Sequence, residues 1–225
     1  MADITLYKSY AIGSDLSLTE ENKHALVACF KKPAEAQGEV LAGRAAVSKI
    51  HLNGIGDVVV KNYTRGGFIK HFIKRTYLKI SSYRCQSEYE LLQYLKRLDV
   101  SVPKPVAFVY QGSLLYHAWL VTKEIRNTCT LAELSIREPS RAELVMGDVV
   151  RQVSILAENQ VHHVDLHPGN VLVDDKNNLF IIDFDKARTN PQNPIKLLKK
   201  YISRWQRAVK KHELPEVLND IKKVI

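Results

Sequence analysis

At 225 residues with 45% hydrophobic content, the chain can bury a substantial core as one bilobed domain or two small ones, which excludes a disordered or fibrous polypeptide. Its 33 basic against 24 acidic residues leave a formal net charge of +9, which favours a polyanionic partner: nucleotide phosphates, nucleic acid or an anionic membrane face. Cys29, Cys85 and Cys129 are odd in number and lack paired metal-ligand spacing, which argues against a disulfide framework or zinc site and for a reducing compartment.

Between Met1 and Leu16 no basic start precedes an apolar block, and no apolar run approaches the length of a transmembrane helix. A cytosolic protein, or one bound to a membrane only peripherally, is therefore expected. Ile4 to Ile12 reads as a short edge strand, and Leu18 to Lys31 as a helix with Leu26, Val27 and Phe30 at helical spacing behind a Thr19 cap. Val40 to Leu52 reads as strand, small-residue turn, strand. Asn53-Gly54 and Gly56-Asp57 then reverse the chain into Val58 to Tyr63. Gly43, Ala45 and Ala46 are small enough for backbone amides to approach a phosphate, and Lys61 projects from the following strand. Taken alone, these residues equally describe an ordinary hairpin turn and a solvated edge lysine.

Arg65-Gly66-Gly67 opens a mixed basic and apolar segment that runs to Arg75, either a solvated loop or helix or a cationic surface for an anionic substrate or lipid headgroup. From Ser87 to Leu98, helical spacing with Glu88 and Glu90 in the first turn and Lys96 and Arg97 in the last predicts a helix, which Pro103 and Pro105 keep from continuing. Val106 to Val109 and Ala118 to Thr122 read as two further strands, completing an antiparallel five-stranded sheet with one helix inserted.

Beyond Ile125 the composition turns helical. Thr130 to Leu134 and Arg141 to Asn159 are predicted helices, the second with an apolar face of Leu144, Val145, Val149, Val153 and Leu156. A polar loop carrying His163, Asp165 and Asn170 follows, then a buried strand at Val171 to Val173, a turn at Asp174 to Asn178, and a second buried strand that ends in Asp183-Phe184-Asp185. Ile195 to Lys211 is amphipathic. Leu197, Leu198, Tyr201, Ile202, Trp205 and Val209 face inward, while Lys196, Lys199, Lys200, Arg204, Arg207 and Lys210 form a basic face that either simply meets solvent or lies on a membrane surface.

The ordered set of parts resembles the protein-kinase architecture: turn, strand with Lys61, helix with Glu88, two strands, helical lobe, His163-x-Asp165 with Asn170, and Asp183. The expected fold class is α+β, a protein-kinase-like bilobal fold. Residues 1–125 would form an antiparallel five-stranded N-lobe with one helix, and residues 126–225 a small, mainly helical C-lobe. In such a site Asp165 accepts or orients the proton of an attacking hydroxyl, and Asn170 with Asp183 holds Mg²⁺ on the phosphates of ATP. Lys61, paired with Glu88 or with Glu90 two residues on, fixes the α- and β-phosphates. Asn170 lies five residues after Asp165, so one loop serves both base and metal. Between Asp185 and the last helix there is no long activation segment and no Ala-Pro-Glu, which argues against a regulatory protein kinase.

Further segments carry a closer resemblance: Tyr63-Thr64-Arg65-Gly66-Gly67, Glu88-Tyr89-x-Leu91-Leu92, Val102-Pro103-Lys104-Pro105, Leu120-Val121-Thr122, Thr130-Leu131-Ala132-Glu133-Leu134, Asp165-Leu166-His167-x-x-Asn170 and Ile182-Asp183-Phe184-Asp185-Lys186-x-Arg188. Through them the chain, from about residue 40 to 207, resembles the lipopolysaccharide kinase family. The resemblance implies ATP-dependent phosphorylation of a hydroxyl of 3-deoxy-D-manno-octulosonic acid (Kdo) in the lipopolysaccharide inner core, at the cytoplasmic face of the inner membrane. It also implies an adenine-binding hinge in the backbone around Lys123 and Ile125, and a phosphate loop of Gly43, Arg44 and Ala45 where the family tends towards Gly-Arg-Gly. An anionic lipid A-type acceptor would suit the net positive charge.

The loop Asp165-Leu166-His167-Pro168-Gly169-Asn170 resembles aminoglycoside and choline phosphotransferases equally well, so a kinase of the same fold acting on another small molecule or on protein is the alternative. A pseudokinase or nucleic-acid module is disfavoured by Lys61, Asp165, Asn170 and Asp183 and by the lack of an aromatic-interleaved basic motif. Nucleic acid is not an expected partner.

Overall fold

A computed structural model describes residues 2–31, 47–63, 77–78, 83–113, 115–189 and 193–224. The expected Gly43-Arg44-Ala45 turn, the strand before it and the basic segment from Arg65 to Arg75 lie outside these residues. The chain forms two compact units, Met1–Gln93 with Lys104–Glu124, and Tyr94–Pro103 with Ile125–Ile225.

The first unit is built on one antiparallel sheet whose strands are β1 (Asp3–Tyr7), β2 (Tyr10–Ser14), β3 (Val47–Leu52), β4 (Gly56–Asn62), β5 (Tyr77–Leu78), β6 (Pro105–Gly112) and β7 (Leu115–Lys123). Its order is β1-β2-β6-β7-β4-β3, with β5 pairing β7 beside the end of β4. The described sheet thus has seven strands where five were expected. Two differences are the short β5, which was not expected, and the N-terminus, where the single expected edge strand is a hairpin that turns at Lys8 with φ of 54°. No Gly or Asn marks that turn, and β2 is buried along its whole length, so alternation does not reveal it.

Helix α1 (Glu20–Phe30) is capped by Thr19, whose hydroxyl accepts the Asn22 amide at 3.2 Å. It covers the sheet with Leu26, Val27 and Phe30, and Phe30 stacks on Trp119 at 4.4 Å between centroids. Helix α2 (Arg84–Arg97) is therefore not the one helix of this part of the chain. It also starts earlier than charge placement predicts, at Arg84, so Glu88 lies beyond the first turn, which holds no acid.

In the second unit, α3 (Leu131–Arg137) begins at a reciprocal cap: Thr130 Oγ1 accepts the Glu133 amide while Glu133 accepts the Thr130 amide. The long α4 (Pro139–Glu158) buries Val145, Met146, Val149, Val153 and Leu156. Leu144, expected on that face, is 75% exposed because it falls one residue, about 100° of helix, off the stripe. Short sheets join β8 (Cys129–Thr130) to β10 (Val171–Val173) and β11 (Leu179–Ile181), and β9 (Val161–His162) to β12 (Arg188–Thr189). Helix α5 (Pro194–Lys211) buries Leu197, Tyr201, Trp205, Ala208 and Val209, and Trp205 donates to the Leu218 carbonyl at 2.9 Å. Leu198 and Ile202 are only half-buried. The segment Tyr94–Pro103 belongs with this unit. Ser101 is held on both sides, donating its amide to Gln152 at 2.8 Å and accepting that of Ile181 at 2.9 Å.

Candidate active site

In the first unit, β4 carries Lys61 paired across the sheet with Val47 and Leu120, and α2 carries Glu88. The Lys61 ammonium lies 3.2 and 3.3 Å from the two oxygens of Glu88, whose side chain is buried. The choice between Glu88 and Glu90 is thus made by helix face: Glu90 is exposed and accepts from Gln86 at 2.9 Å. Tyr63, two residues along the chain from Lys61, donates its hydroxyl to Glu88 Oε2, and its ring lies 5.3 Å from the Lys61 ammonium. Sequence reasoning gave Tyr63 no part here, although its alternation with Lys61 puts both side chains on one face of the strand.

In the second unit the loop from His163 to Asn170 is held by its own backbone and by buried side chains. The His163 amide donates to the Tyr201 hydroxyl at 3.0 Å, and that hydroxyl donates to the Val161 carbonyl. The His163 ring is buried, edge-on to Phe184 at 4.5 Å, with Nε2 2.9 Å from the Ile182 carbonyl. Since a carbonyl only accepts, Nε2 carries the proton. A 3-10 turn at Pro168–Asn170 closes the loop, and His167 Nδ1 accepts the Gly169 amide at 3.1 Å. Asn170 donates from Nδ2 to the Asp165 carbonyl at 2.9 Å, and the Asn170 carbonyl accepts the Ile182 amide at 3.0 Å. These bonds run from Asp165 through Asn170 to the residue before Asp183.

Asp183 is exposed and has a φ of 67°, in the left-handed region that aspartate and asparagine enter more readily than other non-glycine residues. With Nδ2 of Asn170 committed to a carbonyl, its Oδ1 is the end that a cation can use. An amide oxygen, a carboxylate and phosphate oxygens make a donor set suited to Mg²⁺, which takes few protein ligands. Among the described residues no three His, Cys, Asp or Glu side chains cluster as a metal site.

The carboxylate of Asp165 has a partner that sequence reasoning assigned elsewhere. Arg204 of α5 donates from Nε to Asp165 Oδ1 at 3.0 Å and from Nη2 to the same oxygen. It therefore leaves the solvated basic face on which helical spacing placed it. Of the residues expected at an adenine hinge, Lys123 ends β7 with its amide donated to the Lys104 carbonyl at 2.8 Å, and Ile125 begins the second unit's long segment.

A lysine held by a glutamate, a loop in which an asparagine side chain donates to an aspartate's backbone carbonyl, and a second aspartate at positive φ are the residue types from which phosphotransferases of the kinase class are made. Residues 28–223 match the lipopolysaccharide kinase (Kdo/WaaP) family, and the chain belongs to that family of kinases. It is 30% identical over 177 residues to a 3-deoxy-D-manno-octulosonic acid kinase of Vibrio parahaemolyticus, covering 77% of this chain and 72% of the relative. It is 33% identical over 134 residues to the protein so named in Vibrio cholerae, covering 57% and 55%, and 31% identical over 159 residues to that of Photobacterium profundum, covering 69% and 66%.

Proposed function

We propose that the protein transfers the γ-phosphoryl group of ATP to a hydroxyl of Kdo in the lipopolysaccharide inner core, within a protein-kinase-like bilobal fold. Residues 1–125 serve as the nucleotide-binding lobe and 126–225 as the catalytic lobe. The acceptor hydroxyl oxygen attacks the γ-phosphorus, its proton passes to the Asp165 carboxylate, and the bond to the bridging oxygen breaks so that ADP leaves with that electron pair. Lys61, oriented by Glu88, binds the α- and β-phosphates, Gly43, Arg44 and Ala45 cover them, and the hinge at Lys123 and Ile125 takes the adenine. Because the Lys123 amide is already donated within its unit, an adenine acceptor draws on Ile125 for its donor. Mg²⁺ held by Asn170 and Asp183 supplies charge neutralisation on the phosphates.

The reading is carried above all by the family match over residues 28–223, which takes in every one of these positions. The exposed cations of α5, Lys196, Lys199, Arg207 and Lys210, support peripheral contact with the anionic inner-membrane face on the cytoplasmic side. No helix among the described residues is long and apolar enough to cross a membrane. Incubation with Mg-ATP and a Kdo-bearing lipid A precursor, read by mass spectrometry, is expected to add one phosphate to the acceptor. Asp165→Asn is expected to slow this by about 10²- to 10⁴-fold, the usual contribution of a general base. An acceptor that gains no phosphate, or gains it equally fast with Asp165→Asn, overturns the proposal.

A further inference from the structure

Both contacts of Arg204 fall on a single oxygen of Asp165, Oδ1. A pair serving only mutual neutralisation would favour two parallel N–H bonds spanning both carboxylate oxygens, the geometry the guanidinium fork matches. Here Oδ2 stays outside the fork, with His167 Nε2 4.0 Å away. Two of arginine's five N–H donors are used and three remain.

The position of Arg204 is rigid while its head group is accessible. Tyr201 on one side of it in α5 and Trp205 and Ala208 on the other are buried, and Tyr201 and Trp205 are hydrogen-bonded into the loop before His163 and to Leu218. The Arg204 and Asp165 side chains nevertheless keep 31% and 40% of their surface exposed. An ion pair this open contributes little to stability, so stability does not account for it. What it does is set a fixed positive charge with spare donors beside the carboxylate that meets the acceptor.

We infer that Arg204 is an acceptor-binding residue that receives the carboxylate of an acidic sugar on its remaining donors while holding Asp165 through Oδ1. Asp165 Oδ2 is then left for the proton of the hydroxyl to be phosphorylated. The inference rests on the Kdo kinase reading, because Kdo is an octulosonic acid and its carboxylate is ionised at neutral pH. Anchoring the sugar by its carboxylate fixes which hydroxyl approaches Oδ2, and a site built around that contact rejects a sugar lacking the charge.

The test uses the full chain, Mg-ATP and two acceptors differing in one group: a Kdo-bearing lipid A precursor and the same molecule with the Kdo carboxylate as its methyl ester. The wild type is expected to disfavour the ester by about 10- to 100-fold in kcat/KM, the scale of a hydrogen bond between charged groups. Arg204→Gln is expected to lose a similar factor on the native acceptor, mainly through KM, and to treat both acceptors alike, since the two changes remove one contact. Arg204→Lys keeps the charge without the fork and is expected to retain part of the preference, which keeps the question decidable if the glutamine variant does not fold. The inference is overturned if either variant loses kcat equally on both acceptors while keeping the wild-type preference, which is how a residue that only positions Asp165 behaves. It is also overturned if the wild type does not distinguish acid from ester. A wild type that phosphorylates neither acceptor overturns the Kdo reading itself, and the inference with it.

Discussion

Asn170 donates its side-chain amide to the backbone carbonyl of Asp165 at 2.9 Å, closing the loop between them into a ring. The bond fixes which end of the amide is presented outward, the Oδ1 that the proposed function gives to Mg²⁺. Asn170→Ala removes both at once. Loss of the hydrogen bond is expected to cost about 1 kcal/mol of stability, whereas, under the proposed role of Asn170 as a Mg²⁺ ligand, loss of Oδ1 is expected to raise the Mg²⁺ concentration for half-maximal activity by about tenfold or more. A Mg²⁺ titration of ATP turnover separates the two effects. An unchanged half-maximal concentration would remove Asn170 from the metal's ligands.

Glu88 accepts from the Lys61 ammonium and from the Tyr63 hydroxyl in a buried position. Glu88→Ala removes both of these contacts and is expected to cost about 3 kcal/mol, the lower end for breaking a buried pair because Lys61 retains some exposure. Tyr63→Phe removes one hydrogen bond to a charged group and is expected to cost about 1.5 kcal/mol. Urea unfolding of the two single variants and the double variant checks this. Strictly additive losses would mean that Tyr63 does not act through Glu88.

The pH dependence of stability follows from two histidines. Burial pushes the His167 imidazole below the usual histidine range against the opposing pull of Asp165, and burial, reinforced by Lys200 and Arg188, lowers His162. His167 Nδ1 also accepts the Gly169 amide, a bond that protonation there would destroy. In the unfolded chain both titrate near about 6.5. Just below that pH the unfolded state binds protons that the native state refuses, so stability rises with pH. The contribution is complete above about pH 6.5 and is lost as pH falls through the depressed native values. Urea midpoints between pH 5 and 8 should therefore fall on the acid side, and the His162→Gln, His167→Gln double variant should flatten that slope. A double variant with the wild-type slope would assign it to other groups.

How far these features could be read beforehand depended on whether local chemistry decides them. The Thr19 cap of α1 and the loop linking Asp165 to Asn170 were legible because cap, periodicity and loop spacing are properties of adjacent residues. The β1–β2 hairpin was not, since Lys8 takes a left-handed turn conformation without the glycine or asparagine that signals one. Arg204 shows the other limit. It flanks the apolar stripe of Tyr201, Trp205 and Ala208, so helical spacing assigns it to the basic face as readily as to the interior. Only the return of the His163 to Asn170 loop beside α5 decides the matter. Glu88 lies between these cases, because its lying on a different helix face from Glu90 was visible, whereas which face meets Lys61 and the true start of α2 at Arg84 were not.

One substitution made at two glycines is expected to act with opposite sign. Gly13 of β2 pairs with Phe108 of β6, and a Cβ there would lie 2.1 Å from the Phe108 ring. That ring is buried and set edge-on to Tyr89 at 5.2 Å, so it cannot swing away without disturbing the core. Gly13→Ala is therefore expected to destabilise by about 1–3 kcal/mol, the usual cost of overpacking. Gly147 lies within α4, exposed, with nothing within 4 Å of where its Cβ would be. Gly147→Ala is expected to stabilise by about 0.5–1 kcal/mol through backbone entropy and helix propensity. With about 2–4 °C of Tm per kcal/mol in a chain of this size, thermal melts should shift down for the first variant and up for the second. Phe108→Leu in the Gly13→Ala background should recover part of the loss by making room for the methyl group, so the double variant should be more stable than the sum of the two single losses. Simple additivity would mean that the ring does not lie on Gly13.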